Sequence, residues 1–387
     1  MASGRKTQLG CMCIALFFLL TSGCSKDGGG SSGPVPEDSL FSDVQRDGYI
    51  YNSLSDEEKI WYNELCYAVE NHRDTASFSR KLTKEAMRKI FVSVYYGEEY
   101  FWMSSIFYSP RFATSSMHID YRFDREKCET IAKETGARRD EIYSRFDENT
   151  TDYEKLKTFH DEIVLGCTFT REGEYANIPY GALVDHSAQC EGYAAAFTYL
   201  CKGAGIECIT VYGSNSTGAL HAWNIVKLEG NWYHVDTCWD DPILDPVNED
   251  FCRYYYFLGT DEDMLGTSHT LDEQYTDFPE CTDSNSYFRR EGLYCEDAED
   301  AGDMLMHHSA GQIRKGLHCI SLRCGSDEVY DTVCTQLFDE HGLRQILDKA
   351  DPFGIADHKR YTRYLEPKLN IIQIFLNFNE GTEIQYS

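Results

Sequence analysis

Gln189-Cys190-Glu191-Gly192-Tyr193-Ala194, His221-Ala222-Trp223-Asn224 and Trp232-Tyr233-His234-Val235-Asp236 are the three stretches whose reading decides the fold. Each alone says little. Cysteine is among the most buried residue types, and a single His or Asp at a strand end is ordinarily a satisfied polar group. Together they say more. Cys190–Lys202 is rich in small residues and reads as a helix closed by Gly203 and Gly205, which puts Cys190 at its start. Unpaired N–H groups and the helix dipole there favour the thiolate, which is the nucleophile. Gly192 leaves room for close packing or substrate approach just beyond it. His221–Leu228 and Trp232–Asp236 read as two strands joined by Glu229-Gly230-Asn231, with glycine where a hairpin needs positive φ. If Glu229-Gly230 is the two-residue turn, Trp223 faces Asp236 and His221 lies two residues further along the same face. Such diagonal neighbours are about 7–8 Å apart. A slip of one residue would put them on opposite faces, so the pairing is conditional on register. In that register Asp236 accepts from one imidazole nitrogen while the other faces Cys190, giving nucleophile, base and orienter.

Working outward, Asp152–Leu165 predicts a helix capped by Asp152, with Leu156, Phe159, Ile163 and Val164 on its apolar face and Gly166 at its end. Ile206–Gly213 reads as a strand. These segments make residues 146–296 the candidate catalytic domain. Upstream, Ser55 with Glu58 signals the cap of a helix over Ser53–Val69, and Leu82–Val94 is a second amphipathic helix before the aromatic stretch Tyr95–Tyr108. Ser116–Phe123 alternates weakly as a strand and Cys128–Phe146 reads as helix, so residues 46–145 form a mainly helical N-terminal region. Downstream, Ala298–Arg314 and Tyr330–Lys349 read as helices, and Leu317–Cys324 and Asn370–Phe378 as strands. They make a small α/β module over residues 297–387. His307 and His308 with Cys319 and Cys324 fit no standard zinc spacing, so those cysteines read as structural. No metal and no cofactor is expected.

The N-terminus reads as an address. Residues 1–24 are MASGRKTQLGCMCIALFFLLTSGC. Arg5 and Lys6 precede an apolar run, Gly10–Leu20, too short to span a bilayer and suited to a signal peptide over residues 1–23. Thr21-Ser22-Gly23-Cys24 is similar to a bacterial lipobox, with Thr21 where leucine is usual. Cys24 is therefore the expected lipidation site, with plain cleavage near Gly23 as the alternative. Residues 24–45, rich in Gly and Ser before Pro34 and Pro36, read as a flexible linker. The expected location is extracytoplasmic, on the bacterial cell membrane, with membrane contact through the lipid anchor only. Of the 387 residues, 64 are acidic and 36 basic, a net charge of −28. Such a surface repels phosphates and argues against nucleic acid as a partner. The thirteen cysteines after Cys24 are an odd number. Setting Cys190 aside leaves twelve, which could all pair or all stay reduced.

From Tyr180 to Pro242 the chain resembles the transglutaminase-like superfamily. The resemblance rests on Gly181-Ala182-Leu183-Val184, Cys190-Glu191-Gly192-Tyr193-Ala194, the Gly205-Ile206 strand, His221-Ala222-Trp223-Asn224, Trp232-Tyr233-His234-Val235-Asp236 and Trp239-Asp240-Asp241-Pro242. Tyr256-Phe257-Leu258-Gly259 and His269 extend it toward the bacterial branch. The resemblance implies an α+β, papain-like core, with the cysteine helix packed on an antiparallel sheet, and a triad of Cys190, His221 and Asp236. No calcium loop of the EF-hand kind and no flanking β-sandwich is evident, which lowers the expectation of calcium-dependent cross-linking. The Cys190 N–H is the default oxyanion donor. Gln189 and Tyr180 are side-chain candidates for which a turn role is the simpler reading. Trp223 and Trp232 read as core, and Asn224 as a structural hydrogen-bonder that could also support the triad. The expected chemistry is a thioester formed at Cys190 on an amide or peptide substrate, with the cell envelope as its expected source. Water resolving it makes a peptidase or amidase, and an amine makes a transamidase. Hydrolysis is the expected outcome, because only a dry site with an amine pocket overcomes the concentration of water. The reading from another class is a non-catalytic binding lipoprotein of the same fold.

Overall fold

The computed structural model describes residues 46–98, 100, 103–110, 115–241, 252–272, 278–317 and 319–378. The predicted signal peptide, Cys24 and the predicted linker lie outside the described residues. In chain order the first elements are α1 (Tyr49–Asn52), α2 (Asp56–Glu70), β1 (Thr75–Ser77), α3 (Lys84–Gly97), β2 (Met103–Pro110), β3 (Ser115–Tyr121), α4 (Arg125–Tyr143) and α5 (Asp152–Gly166). Next come β4 (Thr168–Phe169), α6 (Pro179–Leu183), β5 (Ser187–Ala188), α7 (Cys190–Gly203), β6 (Cys208–Asn215), β7 (Leu220–Leu228), β8 (Asn231–Val235) and α8 (Thr237–Asp240). Then follow β9 (Phe257–Gly259), α9 (Asp261–Met264), β10 (His269–Leu271), α10 (Tyr287–Arg290), β11 (Tyr294–Cys295), α11 (Ala301–Arg314) and β12 (Cys319–Cys324). The last are α12 (Asp327–Cys334), a π-helical turn (Thr335–Asp339), α13 (Gly342–Ala350), β13 (Ala356–Glu366) and β14 (Ile371–Phe378). The fold is α+β.

The elements form two compact units. Of the described residues, one unit holds those through Gly230 with Asp236–Cys238 and those of Thr270–Glu280; the other holds Asn231–Val235, those of Trp239–His269 and those from Cys281. This division differs from boundaries at 145 and 296, because the Cys190 helix shares a unit with the N-terminal region.

In the first unit, α2 and α3 pack beside a three-stranded antiparallel sheet of order β1-β3-β2. Leu65, Phe78, Ile90, Val94 and Met117 are buried together there. Strand β2 falls in the aromatic stretch that carried no predicted element; its pairing with β3, Ile106 opposite Ile119, supplies what the local pattern did not. The cap of α2 is as read: the Glu58 carboxylate accepts the Ser55 N–H at 2.8 Å and Ser55 Oγ accepts from the Glu58 N–H. The cap of α5 is Thr151, not Asp152. Thr151 and Glu154 bond reciprocally, and Asp152 falls in the first turn, where its charge suits the dipole. Helix α7 packs on α5, α6, β6 and β7, and it buries Tyr193 and Phe197. Strands β6 and β7 pair antiparallel, with Val211 opposite Trp223 and Gly213 opposite His221. Trp223 is buried, in keeping with its core reading.

In the second unit a four-stranded sheet runs β11-β12-β14-β13, parallel between β11 and β12 and antiparallel elsewhere. Leu305, Ile320, Leu322, Leu347, Ile372 and Ile374 share its core with α11, α12 and α13. The single helix predicted over Tyr330–Lys349 is broken. His341 takes a left-handed φ of 60°, after the π-helical turn, and α13 starts anew. Strand β13 carried no hydrophobic signal because it lies at the sheet edge, with Lys359, Arg360 and Arg363 exposed.

Candidate active site

Cys190 is the first residue of α7, and extended backbone at Gln189 (φ −90°, ψ 174°) delivers it there. Gln189 does not cap the helix with its side chain. Its Nε2 donates instead to the Arg171 carbonyl at 3.0 Å, and its backbone N–H to the Ala176 carbonyl at 2.8 Å. The first-turn N–H groups are thus not consumed by a side-chain cap, which suits them to anionic charge near the Cys190 sulfur. Tyr180 donates its hydroxyl to Glu134 at 2.7 Å. Both oxyanion side-chain candidates therefore have ordinary structural bonds. Gly192 is required by packing: a Cβ there would run into the Ala176 carbonyl oxygen and the Ala188 side chain. Of the two uses weighed for Gly192, close packing is the one seen.

His221 and Asp236 meet. The His221 Nε2 lies 2.6 Å from Asp236 Oδ2, and both residues are buried, as is Cys190. Glu229 and Gly230 have φ of 55° and 89°, the two positive values of a type I′ turn. With Nε2 held by Asp236, Nδ1 is the ring nitrogen left to face the Cys190 sulfur, and interaction with Cys190 contributes to the His221 shift. Burial works to lower the His221 pKa. The Asp236 charge and hydrogen bond, with Cys190 adding to them, outweigh burial and push it up to about 10. A cationic imidazole beside a cysteine sulfur at a helix N-terminus is an arrangement that can activate the sulfur as a nucleophile and carry its proton.

Asn224 is not the orienter of His221. Its Nδ2 donates to the Ala194 carbonyl at 3.0 Å and to Thr198 Oγ1 at 2.9 Å, tying β7 to α7. Glu191 is a site residue that the sequence reading passed over. It is buried beside Cys190 in the chain, and its Oε1 accepts from the hydroxyls of Tyr95 and Tyr212, both at 3.0 Å. Oε2 accepts from Asn177 Nδ2 at 2.8 Å. Burial pushes its pKa up, and the Tyr212 and Tyr95 hydroxyls, Arg122 and Asn177 pull against that. The available signal was an acidic residue immediately ahead of the largely apolar run Gly192–Leu200. Its partners come from α3, from the segment before α6 and from β6. The thirteen described cysteines form no disulfide with one another. His307 bonds the Asp303 carbonyl, and Cys319 and Cys324 belong to β12.

An α+β fold with cysteine, histidine and aspartate so placed defines a class of thiol-dependent acyl-transfer proteins and their inactive kin. Residues 141–237, which include all three positions, match the Transglut_core family, the transglutaminase-like superfamily, so the chain carries a transglutaminase-like domain. It is 30% identical over 171 residues to kyphoscoliosis peptidase of Homo sapiens, covering 38% of this chain and 26% of that protein. It is 36% identical over 94 residues to kyphoscoliosis peptidase of Mus musculus, covering 21% of this chain and 14% of that protein. The chain thus matches only about a quarter of the human relative's length. A crystal structure described as that of a TGase aligns with a TM-score of 0.28 and 11% identity, over 45% of this chain and 53% of that one.

Proposed function

We propose that this protein is a thiol enzyme in which Cys190 attacks an amide carbonyl, His221 carries the proton and Asp236 orients and charges His221. A thioester forms as the amine departs with the proton from His221. Water then resolves it, making the protein a peptidase or amidase. The observation that carries this reading is the 2.6 Å His221–Asp236 contact, with Cys190 at the start of α7 interacting with the same imidazole. The match to the transglutaminase-like superfamily over these residues supports it. With the N-terminal sequence, the proposal extends to a lipoprotein tethered through Cys24 outside the cytoplasm and acting on protein or peptide of the cell envelope. Among the described residues no helix is long and apolar enough to cross a membrane.

The test is active-site labelling followed by partition of the acyl group. Iodoacetamide at neutral pH should modify Cys190 ahead of every other cysteine. A peptide library should then yield hydrolysis products, with little incorporation of a labelled primary amine. Dominant incorporation would make the protein a transamidase. A Cys190 that resists labelling while Cys201 or Cys238 reacts would leave the non-catalytic binding reading in front.

A further inference from the structure

The second unit contains another grouping of histidine, carboxylate and cysteine that takes no part in the reading above. His234 lies in β8, Asp261 opens α9, and Cys281 lies 20 residues beyond Asp261. The His234 Nε2 is 2.9 Å from Asp261 Oδ1, and one ligand atom from each of the three residues, the Cys281 sulfur included, lies within 4.8 Å of the others. Asp261 and Cys281 are also locked to each other through the backbone. The Cys281 N–H donates to Asp261 Oδ2 at 2.9 Å, and the Asp261 N–H donates to the Cys281 carbonyl at 2.8 Å. Such second contacts set a carboxylate's direction before any ion arrives. His234 and Cys281 are fully buried, while the Asp261 side chain keeps 33% of its surface. Asp261 and Cys281 border a cavity of about 390 Å³ that Asp263 and Arg323 also line. Asp263 is engaged by Arg323 and does not compete for a cation.

We propose that His234, Asp261 and Cys281 bind one divalent transition-metal ion, zinc in preference, with a cavity water in the fourth position. One nitrogen, one oxygen and one sulfur form a donor set for zinc and its neighbours, not for calcium or magnesium, which take oxygen. Tetrahedral zinc holds nitrogen and oxygen ligands at about 2.0–2.2 Å, which places them roughly 3.3 Å apart. The His234–Asp261 contact at 2.9 Å therefore has to open by only about 0.4 Å. The charges also balance. A thiolate and a carboxylate cancel the two positive charges of the ion, so the buried complex is neutral. Binding removes the Cys281 thiol proton to solvent. The proton between His234 and Asp261 moves to His234 Nδ1, so one proton is released per ion and no redox step is involved. A second nucleophilic role for Cys281 is a poorer account, since a sulfur with no exposed surface is closed to a substrate carbonyl.

The experiment uses the full chain carrying Cys190→Ala, so that no thiolate band can come from the first site, and its readout does not depend on turnover. Chelator-treated protein is titrated with Co²⁺ and then Zn²⁺, and retained metal is counted by mass spectrometry after desalting. The expected result is one equivalent of Co²⁺ with a thiolate charge-transfer band and tetrahedral d–d bands, displaced by Zn²⁺. Adding Cys281→Ala should abolish the charge-transfer band. Adding His234→Gln should keep that band and weaken binding at least about a hundredfold, since loss of an outer-shell group alone costs tenfold to a hundredfold. Cys319→Ala should leave one equivalent bound. Circular dichroism of the metal-free variants checks folding, and His234→Gln carries the test should Cys281→Ala fail to fold. No retained ion, or retention unchanged in both the Cys281 and His234 variants, overturns the proposal.

Discussion

Asp236→Asn separates charge from shape at the proposed site, because the amide keeps the size of the carboxylate and can still accept from His221 Nε2. The lift of His221 from 6.5 to about 10 amounts to a preference for imidazolium on the order of 5 kcal/mol. The Asp236 charge and its 2.6 Å hydrogen bond are the largest raising influences, with Cys190 adding to them. An opposite charge in contact shifts a pKa by about 1–3 units, so losing the Asp236 charge should lower the thiolate–imidazolium population at least about tenfold. The sign follows from what each group needs. His221 is charged below its folded pKa and loses that charge as pH rises through about 10. Removing Asp236 lowers that upper limit. It also makes the Cys190 thiolate harder to form, since its partner is charged less often, so the lower limit rises. The kcat/KM bell should therefore narrow from both sides. The acid limb of iodoacetamide labelling at Cys190, followed by peptide mapping, should move to higher pH. A variant whose labelling profile and turnover superimpose on those of the wild type would falsify the electrostatic role given to Asp236.

Other changes should give equally definite results. Cys190→Ala should abolish turnover and His221→Ala should nearly do so, with the double variant costing little more than either, as kinetic measurement of all three will show. Glu191→Ala should lower stability by about 3 kcal/mol or more in a denaturant melt, because the Tyr95 and Tyr212 hydroxyls and the Asn177 amide lose their acceptor, while Glu191→Gln should keep most of it. Gly192→Ala should yield poorly folded protein or sharply reduced Cys190 labelling, since its Cβ meets the Ala176 carbonyl; wild-type levels of both would remove the packing argument. Cys24→Ala should leave the chain out of the detergent phase on cloud-point extraction, and a wild-type mature protein with an unmodified N-terminus on mass spectrometry would exclude the anchor.

Much of the site was legible because its signals are local. Small residues ahead of Gly203 mark α7, and Glu229-Gly230 marks a tight turn, since both positions take positive φ. The Ser55–Glu58 box closes within one helical turn, and the apolar run of β14 reads as a strand buried between two others. Local rules also misplace things where two local solutions compete. Asp152 can cap α5, but Thr151 one residue earlier forms the reciprocal pair with Glu154 and takes the position. Strand β13 shows the converse, since an exposed edge needs no apolar alternation and leaves none to read.

What the sequence by itself determined, then, was the cysteine at a helix start and the two strands that carry His221 and Asp236. Period and turn chemistry act over a few residues and are written in order along the chain. Tertiary structure decided how those pieces meet. It settled the register that brings His221 Nε2 onto Asp236, the tyrosines of α3 and β6 that enclose Glu191, and the bonds that commit Asn224 to α7. It also brought His234 beside Asp261 and Cys281 across separations of 27 and 20 residues. Such contacts depend on which faces pack and on which buried polar groups find partners in three dimensions, and no spacing rule along one strand or helix encodes that.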